Sequence, residues 1–171
     1  VLWVIKMALT DVQGFDQDVN PIPSNPSLNN FHAVLFERPF FTWMFNSIVV
    51  SIGTTVLGVF LACTSAYALS RFRFPGRSPA MLSFLVTQMF PGVLSMIPLF
   101  LIMEFLGLLD QLLGLVLVYS TTAIPFCVWM LKGYFDTIPI ELEEAAIMDG
   151  ASPAYVFWKI VMPLSLPAVS V

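Results

Sequence analysis

The sequence predicts an all-α, polytopic membrane helical bundle, on three observations. Hydrophobic residues fill 58% of its 171 positions and charged ones only 11%, and mean hydropathy is +0.87. A soluble domain averages about 25% charged residues, so a membrane protein is the natural class. Three runs, Pro39 to Ser70, Ser78 to Met103 and Gln111 to Leu131, carry no charged side chain at all. Each exceeds the roughly 20 apolar residues that a helix needs to cross hydrocarbon. The third observation is where the charges gather: Arg71, Arg73 and Arg77 fall in one short loop, RFRFPGR, between two of those runs. Positive residues in short loops stay on the cytoplasmic side, which orients the bundle.

Taken in order, residues 1–9 read as the end of a spanning helix. Residues 10–39 form an outer loop, polar and rich in Pro, Asn and Ser (PIPSNPSLNN), with Asp11, Asp16 and Asp18. Repeated X-Pro bonds favour extended and turn backbone over helix. On composition alone it reads as a connecting loop. His32, the only histidine, has no partner of metal-binding type near it and reads as a surface residue.

Residues 40–138 hold the core spans. Phe40, Phe41, Trp43 and Phe45 form an aromatic belt at the first entrance. Ser47, Ser51, Thr55, Gly58, Ala62 and Ala66 recur at helical spacing, a small-residue stripe that favours close helix packing over pathway lining. Ser78-Pro79 suits an N-cap followed by proline in the first helical turn, opening a helix to about Met103. Pro91-Gly92 and Pro98 remove hydrogen bonds inside it and should kink or unwind it. Irregular backbone at membrane depth is tolerated only against protein or a water-filled cavity, so this segment should face the bundle interior. Gln88 lies just before the break. Packing and a gate or pathway role compete for Gln88, Pro91 and Gly92, and for Thr121 and Thr122 of the third span, where the threonine hydroxyls can bond carbonyls freed by Pro125. Cys63 and Cys127 lack metal-ligand neighbours and read as buried small hydrophobes.

Residues 139–163 read as two short helices joined by a turn. Pro139 suits a helix's first turn, and Glu141, Glu143 and Glu144 sit at its positive end. Asp149-Gly150 stops that helix, because glycine takes φ > 0 freely. Ser152-Pro153 starts the second, and Pro163 closes it ahead of residues 164–171, the start of a further span. This arrangement puts five of the seven Lys/Arg on the cytoplasmic side: Arg71, Arg73, Arg77, Lys132 and Lys159. Such a charged hairpin on an oily chain reads either as a docking surface or as a solvated loop.

Several function classes are disfavoured. Net charge is −4 with no basic patch, against nucleic-acid binding. No lysine or carboxylate lies deep in the spans, against an ion-coupled transporter. No phosphate-binding loop, HExxH or nucleophile elbow occurs, so the chain is not expected to be an enzyme or to hydrolyse ATP itself. No cofactor or metal is expected.

Glu144-Ala145-Ala146, Asp149-Gly150-Ala151, Phe157, Ile160 and Pro163-Leu164 resemble the EAA loop of ABC importer permeases. Softer matches resemble that family's carbohydrate branch, of the maltose/maltodextrin type: Asn25 to Leu28 with Phe31, Asn46-Ser47, Ala66-Tyr67-Ala68 through Phe74-Pro75-Gly76, Gln88 to Pro91, and Lys132 to Phe135. The resemblance implies a type I ABC importer permease-like bundle in the cell inner membrane, here about three full spans with partial first and last ones. It implies a sugar pathway shared with a second permease subunit, an extracytoplasmic solute-binding protein, and separate ATPase subunits. Glu143, Glu144, Ala145, Ala146, Asp149, Gly150 and Ala151 would couple to those ATPase subunits, with Glu144 meeting a basic residue and the alanines permitting close approach. Another cargo, such as a peptide or amino acid, and a non-transporting scaffold are the competing functions.

Overall fold

The computed structural model describes residues 1–10 and 26–170. Among these, regular structure is helical, apart from a single bridge between Thr10 and Pro26. The chain divides into two compact units, Val1–Val49 and Val50–Val171.

In the first unit, α1 (Leu2–Leu9) ends where the Asn30 amide nitrogen donates to the carbonyls of Ala8 (3.3 Å) and Thr10 (2.8 Å). A helix C-terminus leaves carbonyls without partners, and this side chain supplies one. The 10–39 stretch is not a loop throughout. Asn29–His32 forms a short helix, α2, which runs on as a π-turn over Ala33–Glu37. The prolines at 21, 23 and 26 all precede it, so none breaks the 29–37 backbone. Asp11, Asp16, Asp18 and the first part of the proline cluster lie outside the described residues. Arg38 is extended (φ −115°, ψ 155°), the conformation that Pro39 imposes on the residue before it. His32 is exposed and stacks on Phe36 at 4.9 Å.

The uncharged run from Pro39 becomes one helix, α3 (Phe40–Arg71), of 32 residues. The next run is not one helix but two. α4 (Arg77–Met89) and α5 (Gly92–Phe105) meet at 106° across Phe90-Pro91. Proline removes the hydrogen bond that would carry a helix through, which explains the break. By contrast α5 runs on through Pro98, and α6 (Leu112–Phe135) through Pro125. α4 starts earlier than Ser78-Pro79 suggests. Its N-cap is Gly76 in left-handed backbone (φ 101°), which glycine adopts without steric cost, and Ser78 caps nothing. The expectation that the broken segment faces inward is not met within this chain: Pro91 and Gly92 are exposed and no residue of α5 is buried.

α3 and α6 run side by side in the same direction. Gly53 packs on Val116, and near their C-termini the Ser70 hydroxyl donates to Asp136 Oδ1 at 2.6 Å. The chain must therefore return from one end of the pair to the other between them. Only α4–α5 is available, so that bent pair acts as one crossing rather than a re-entrant loop, making three apolar spans with α3 and α6 among the described residues.

The buried core lies toward the C-terminal ends of α3 and α6. Ala62, Cys63, Ala66 and Leu69 of α3 meet Val128, Leu131 and Phe135 of α6, with Val156, Phe157 and Val161 from beyond the hairpin turn. Of the small-residue stripe, Gly58, Ala62 and Ala66 are buried, while Ser47, Ser51 and Thr55 remain exposed. Cys63 is buried as expected and Cys127 half-buried; both are free thiols.

Candidate functional site

The hairpin begins at α7 (Ile140–Met148), with Pro139 as its N-cap. Its end is fixed by two backbone bonds: Gly150 N–H to Ile147 O (2.9 Å) and Ala151 N–H to Ala146 O (3.0 Å). With Gly150 at φ 89°, this is a Schellman turn, which needs a left-handed residue after the cap. Ser152 then caps α8 (Pro153–Val156), its hydroxyl accepting from Tyr155 N–H at 3.3 Å. Asp149-Gly150 and Ser152-Pro153 thus act as their sequence predicts.

Pro163 does not end the second helix. α8 widens into a π-turn over Phe157–Val161 and continues as α9 (Met162–Val169), with Pro163 in the first turn of α9. A π-turn breaks the regular i→i−4 pairing, so the N–H that proline lacks leaves a smaller deficit than it would in an unbroken helix.

Every residue of α7 except Glu143 and Ala146 is exposed, and helical spacing picks out one stripe among them. Glu141, Glu144, Ala145 and Met148 stand at i, i+3, i+4 and i+7, and all four are exposed. Ala146 is half-buried against the core and lies off this stripe, so of the two alanines only Ala145 points out. Ala146, Asp149, Gly150, Ala151, Ser152 and Tyr155 line a shallow notch at the turn.

Glu143, grouped with the docking residues on sequence, turns inward instead. It is 4% exposed. Its Oε1 accepts from Arg71 Nε at 2.6 Å, and its Oε2 from the Tyr67 hydroxyl at 2.8 Å. A carboxylate can be buried this way because its charge is paired and both oxygens are bonded. Arg71 also donates through Nη2 to the Ile138 carbonyl (3.0 Å) and through Nη1 to Ser70 Oγ (3.2 Å). Ser70 in turn donates to Asp136, whose other oxygen takes Lys132 from one turn back on α6. Burial by itself would raise the Asp136 carboxyl. The bonds from Lys132 and Ser70, with the charges of Lys132 and Arg77, outweigh it and hold the group below the usual aspartate range.

Sequence reasoning did not assign Tyr67, Ser70 or Arg71 to this site. One signal was available: Tyr67 and Arg71 are four apart and so share a face of α3. The partner, 72 residues on, is visible only in the fold.

The candidate gate residues are partly brought together. Gln88 Nε2 donates to the Thr122 carbonyl at 3.3 Å, joining α4 to α6. Thr121 and Thr122 do not bond the carbonyl that Pro125 frees, which is Thr121's own. Their hydroxyls donate to Val118 (2.7 Å) and Tyr119 (2.9 Å) in the preceding turn, because a threonine hydroxyl reaches back along its helix.

Known proteins resemble this chain closely. It is 44% identical over 136 residues to the inner membrane ABC transporter permease protein YcjP of Escherichia coli (strain K12), spanning 80% of this chain and 48% of that protein. It is 36% identical to the trehalose transport system permease protein SugB of Mycobacterium tuberculosis (strain CDC 1551 / Oshkosh), over 99% of this chain and 61% of the relative. The maltose/maltodextrin transport system permease protein MalG of Vibrio vulnificus (strain YJ016) is 38% identical, over 88% of this chain and 57% of that one. The chain thus spans about half to two thirds of the length of these relatives. A crystal structure of a bacterial ABC transporter importing the acidic polysaccharide alginate superimposes with a TM-score of 0.82 at 29% identity, covering 99% of this chain and 59% of that one. Residues 54–171, which include α4 to α9 and most of α3, match one family throughout. The chain belongs to the binding-protein-dependent transport system inner membrane components, the permeases of ABC importers.

Proposed function

We propose that the whole protein is a permease subunit of an ATP-driven sugar importer, and that the α7–α8 hairpin is its handle for separate ATPase subunits. One observation carries this reading. The outward stripe of Glu141, Glu144, Ala145 and Met148 leads into a rigid glycine turn, at the end of the bundle that also holds Arg71, Arg77 and Lys132. The positive-inside rule assigns such an end to the cytoplasm, where ATP is. Acids with small residues between them suit a basic partner that approaches closely. Glu144 is the proposed ion-pair partner, Ala145 the point of close contact, and Ala146, Asp149, Gly150 and Ala151 the frame of the notch.

Sugar is proposed as cargo because the relatives are named for trehalose and for maltose or maltodextrin. A second permease subunit and an external solute-binding protein complete the proposed assembly. Gln88, Pro91, Gly92, Thr121 and Thr122 are proposed to line the moving part of the pathway, since the 106° break and the Gln88–Thr122 bond lie together on the exposed side of α4 and α6.

The test is uptake of radiolabelled sugar by vesicles containing the full transporter. Glu144→Lys and Gly150→Pro are expected to abolish uptake while the protein remains inserted. Normal uptake by both variants refutes the coupling role. An ATPase that co-purifies but ignores the binding protein would favour a scaffold. Peptide or amino-acid uptake without sugar uptake would change the cargo.

A further inference from the structure

We infer that Tyr67, Arg71 and Glu143 form a positioning clasp that loads motion of the hairpin onto α3; this rests on the coupling role proposed above. α7 has one buried side chain, and it is the carboxylate of Glu143. The apolar core grips the far arm of the hairpin, through Val156, Phe157 and Val161, but it holds α7 only through half-buried Ala146. α7 is thus held to the rest of the protein chiefly through directional polar bonds to α3.

The same end of α3 also grips the linker that joins α6 to α7. Ser70 takes Asp136, Arg71 takes the Ile138 carbonyl, and Arg71 with Tyr67 takes Glu143. These attachments run from the end of α6 into the first turn of α7. Without them, α7 would be tied to the bundle at this end only through Thr137-Ile138-Pro139, where Ile138 is buried in the core and the Thr137 and Ile138 N–H groups bond back to α6. With them, a displacement of α7 also pulls on α3. A charge-assisted pair whose side chains are 10% and 6% exposed adds a short directional tie to α3 beside the close-packed core. Tyr67 adds a ring contact at 4.9 Å to Phe157 of the far arm, so both arms of the hairpin bear on one turn of α3.

The experiment uses the assembled transporter in vesicles and measures sugar carried per ATP hydrolysed, alongside the amount of ATPase subunit retained. Glu143→Gln keeps the shape and size of the side chain. It is expected to lower the ratio at least tenfold with the ATPase subunit still bound. Arg71→Cys with Glu143→Cys, in a background of Cys63→Ala and Cys127→Ala, is expected to be equally uncoupled. Bridging those thiols with a short bifunctional reagent is expected to restore the ratio, since a covalent link replaces the ionic one. An unchanged ratio in Glu143→Gln overturns the clasp. So does a bridged pair that stays uncoupled, because the residues would then matter only to folding. If no ATPase subunit is retained by the unaltered protein, the coupling role itself fails, a result distinct from either.

Discussion

Replacing Gly150 by Ala isolates the backbone cost of the hairpin turn. A Cβ built at Gly150 meets nothing within 4 Å, so no steric clash contributes. The residue sits at φ 89°, where a side chain of L chirality costs about 1–2 kcal/mol. Alanine also restricts the unfolded chain, which offsets about 0.4–1 kcal/mol. The net is about 1 kcal/mol, or roughly a fivefold rise in the open population of the turn. Two amides report on it, Gly150 N–H and Ala151 N–H, both closed by the Schellman bonds to α7. Hydrogen exchange over 145–151 in the detergent-solubilised protein is expected to speed up about fivefold for Gly150→Ala. Gly150→Asn should cost less, because Asn visits left-handed backbone readily, and Gly150→Val more. Unchanged exchange in Gly150→Ala, or a Val variant milder than the Ala one, would show that the turn is not held by its backbone conformation.

Other glycines should respond with opposite signs. Gly133 lies in the last turn of α6 with open space beside it, so Gly133→Ala should stabilise by about 0.5 kcal/mol in thermal unfolding, less than the full helix-interior difference. Gly114 faces the Leu108 carbonyl, a backbone atom that cannot rotate away, so Gly114→Ala should destabilise by about 1–3 kcal/mol in the same assay. Ser152→Ala removes the hydroxyl that caps α8 and should cost about 1 kcal/mol, read as faster exchange at Tyr155 N–H. Asp136 has a lowered folded-state value, so its stabilising contribution is complete above the ordinary aspartate range and is lost as pH falls through that lowered value. Acid unfolding should therefore lose part of its pH dependence in Asp136→Asn. The effect should be small, because the Asp136 side chain is 40% exposed and solvent screens it.

Much of this architecture was legible because local chemistry decided it. An uncharged run from Pro39 to Ser70 leaves a helix little alternative in lipid, and α3 covers nearly the same residues. Pro139, Asp149-Gly150 and Ser152-Pro153 each settle one backbone conformation by themselves, so the hairpin's start, turn and restart could be read directly. Pro163 and Ser78 were misread because each motif had a competitor nearby. A π-turn carried the helix through Pro163, and Gly76 reached a left-handed cap before Ser78 could act. The helix over 29–37 was hidden behind prolines that all precede it. The inward position of Glu143 escapes the sequence for a different reason. Three glutamates in four positions look alike in sequence, and only the arrival of Arg71 and Tyr67 decides which one turns inward.

The proposed coupling role puts Glu144 in the cytoplasm, covered by an ATPase subunit. It is tested most directly by Glu144→Cys in a background of Cys63→Ala and Cys127→Ala, labelled with a membrane-impermeant maleimide. Labelling is expected in inside-out vesicles only, and assembly with the ATPase subunits should suppress it. Labelling from the outer face, or equal labelling with and without those subunits, would contradict the account.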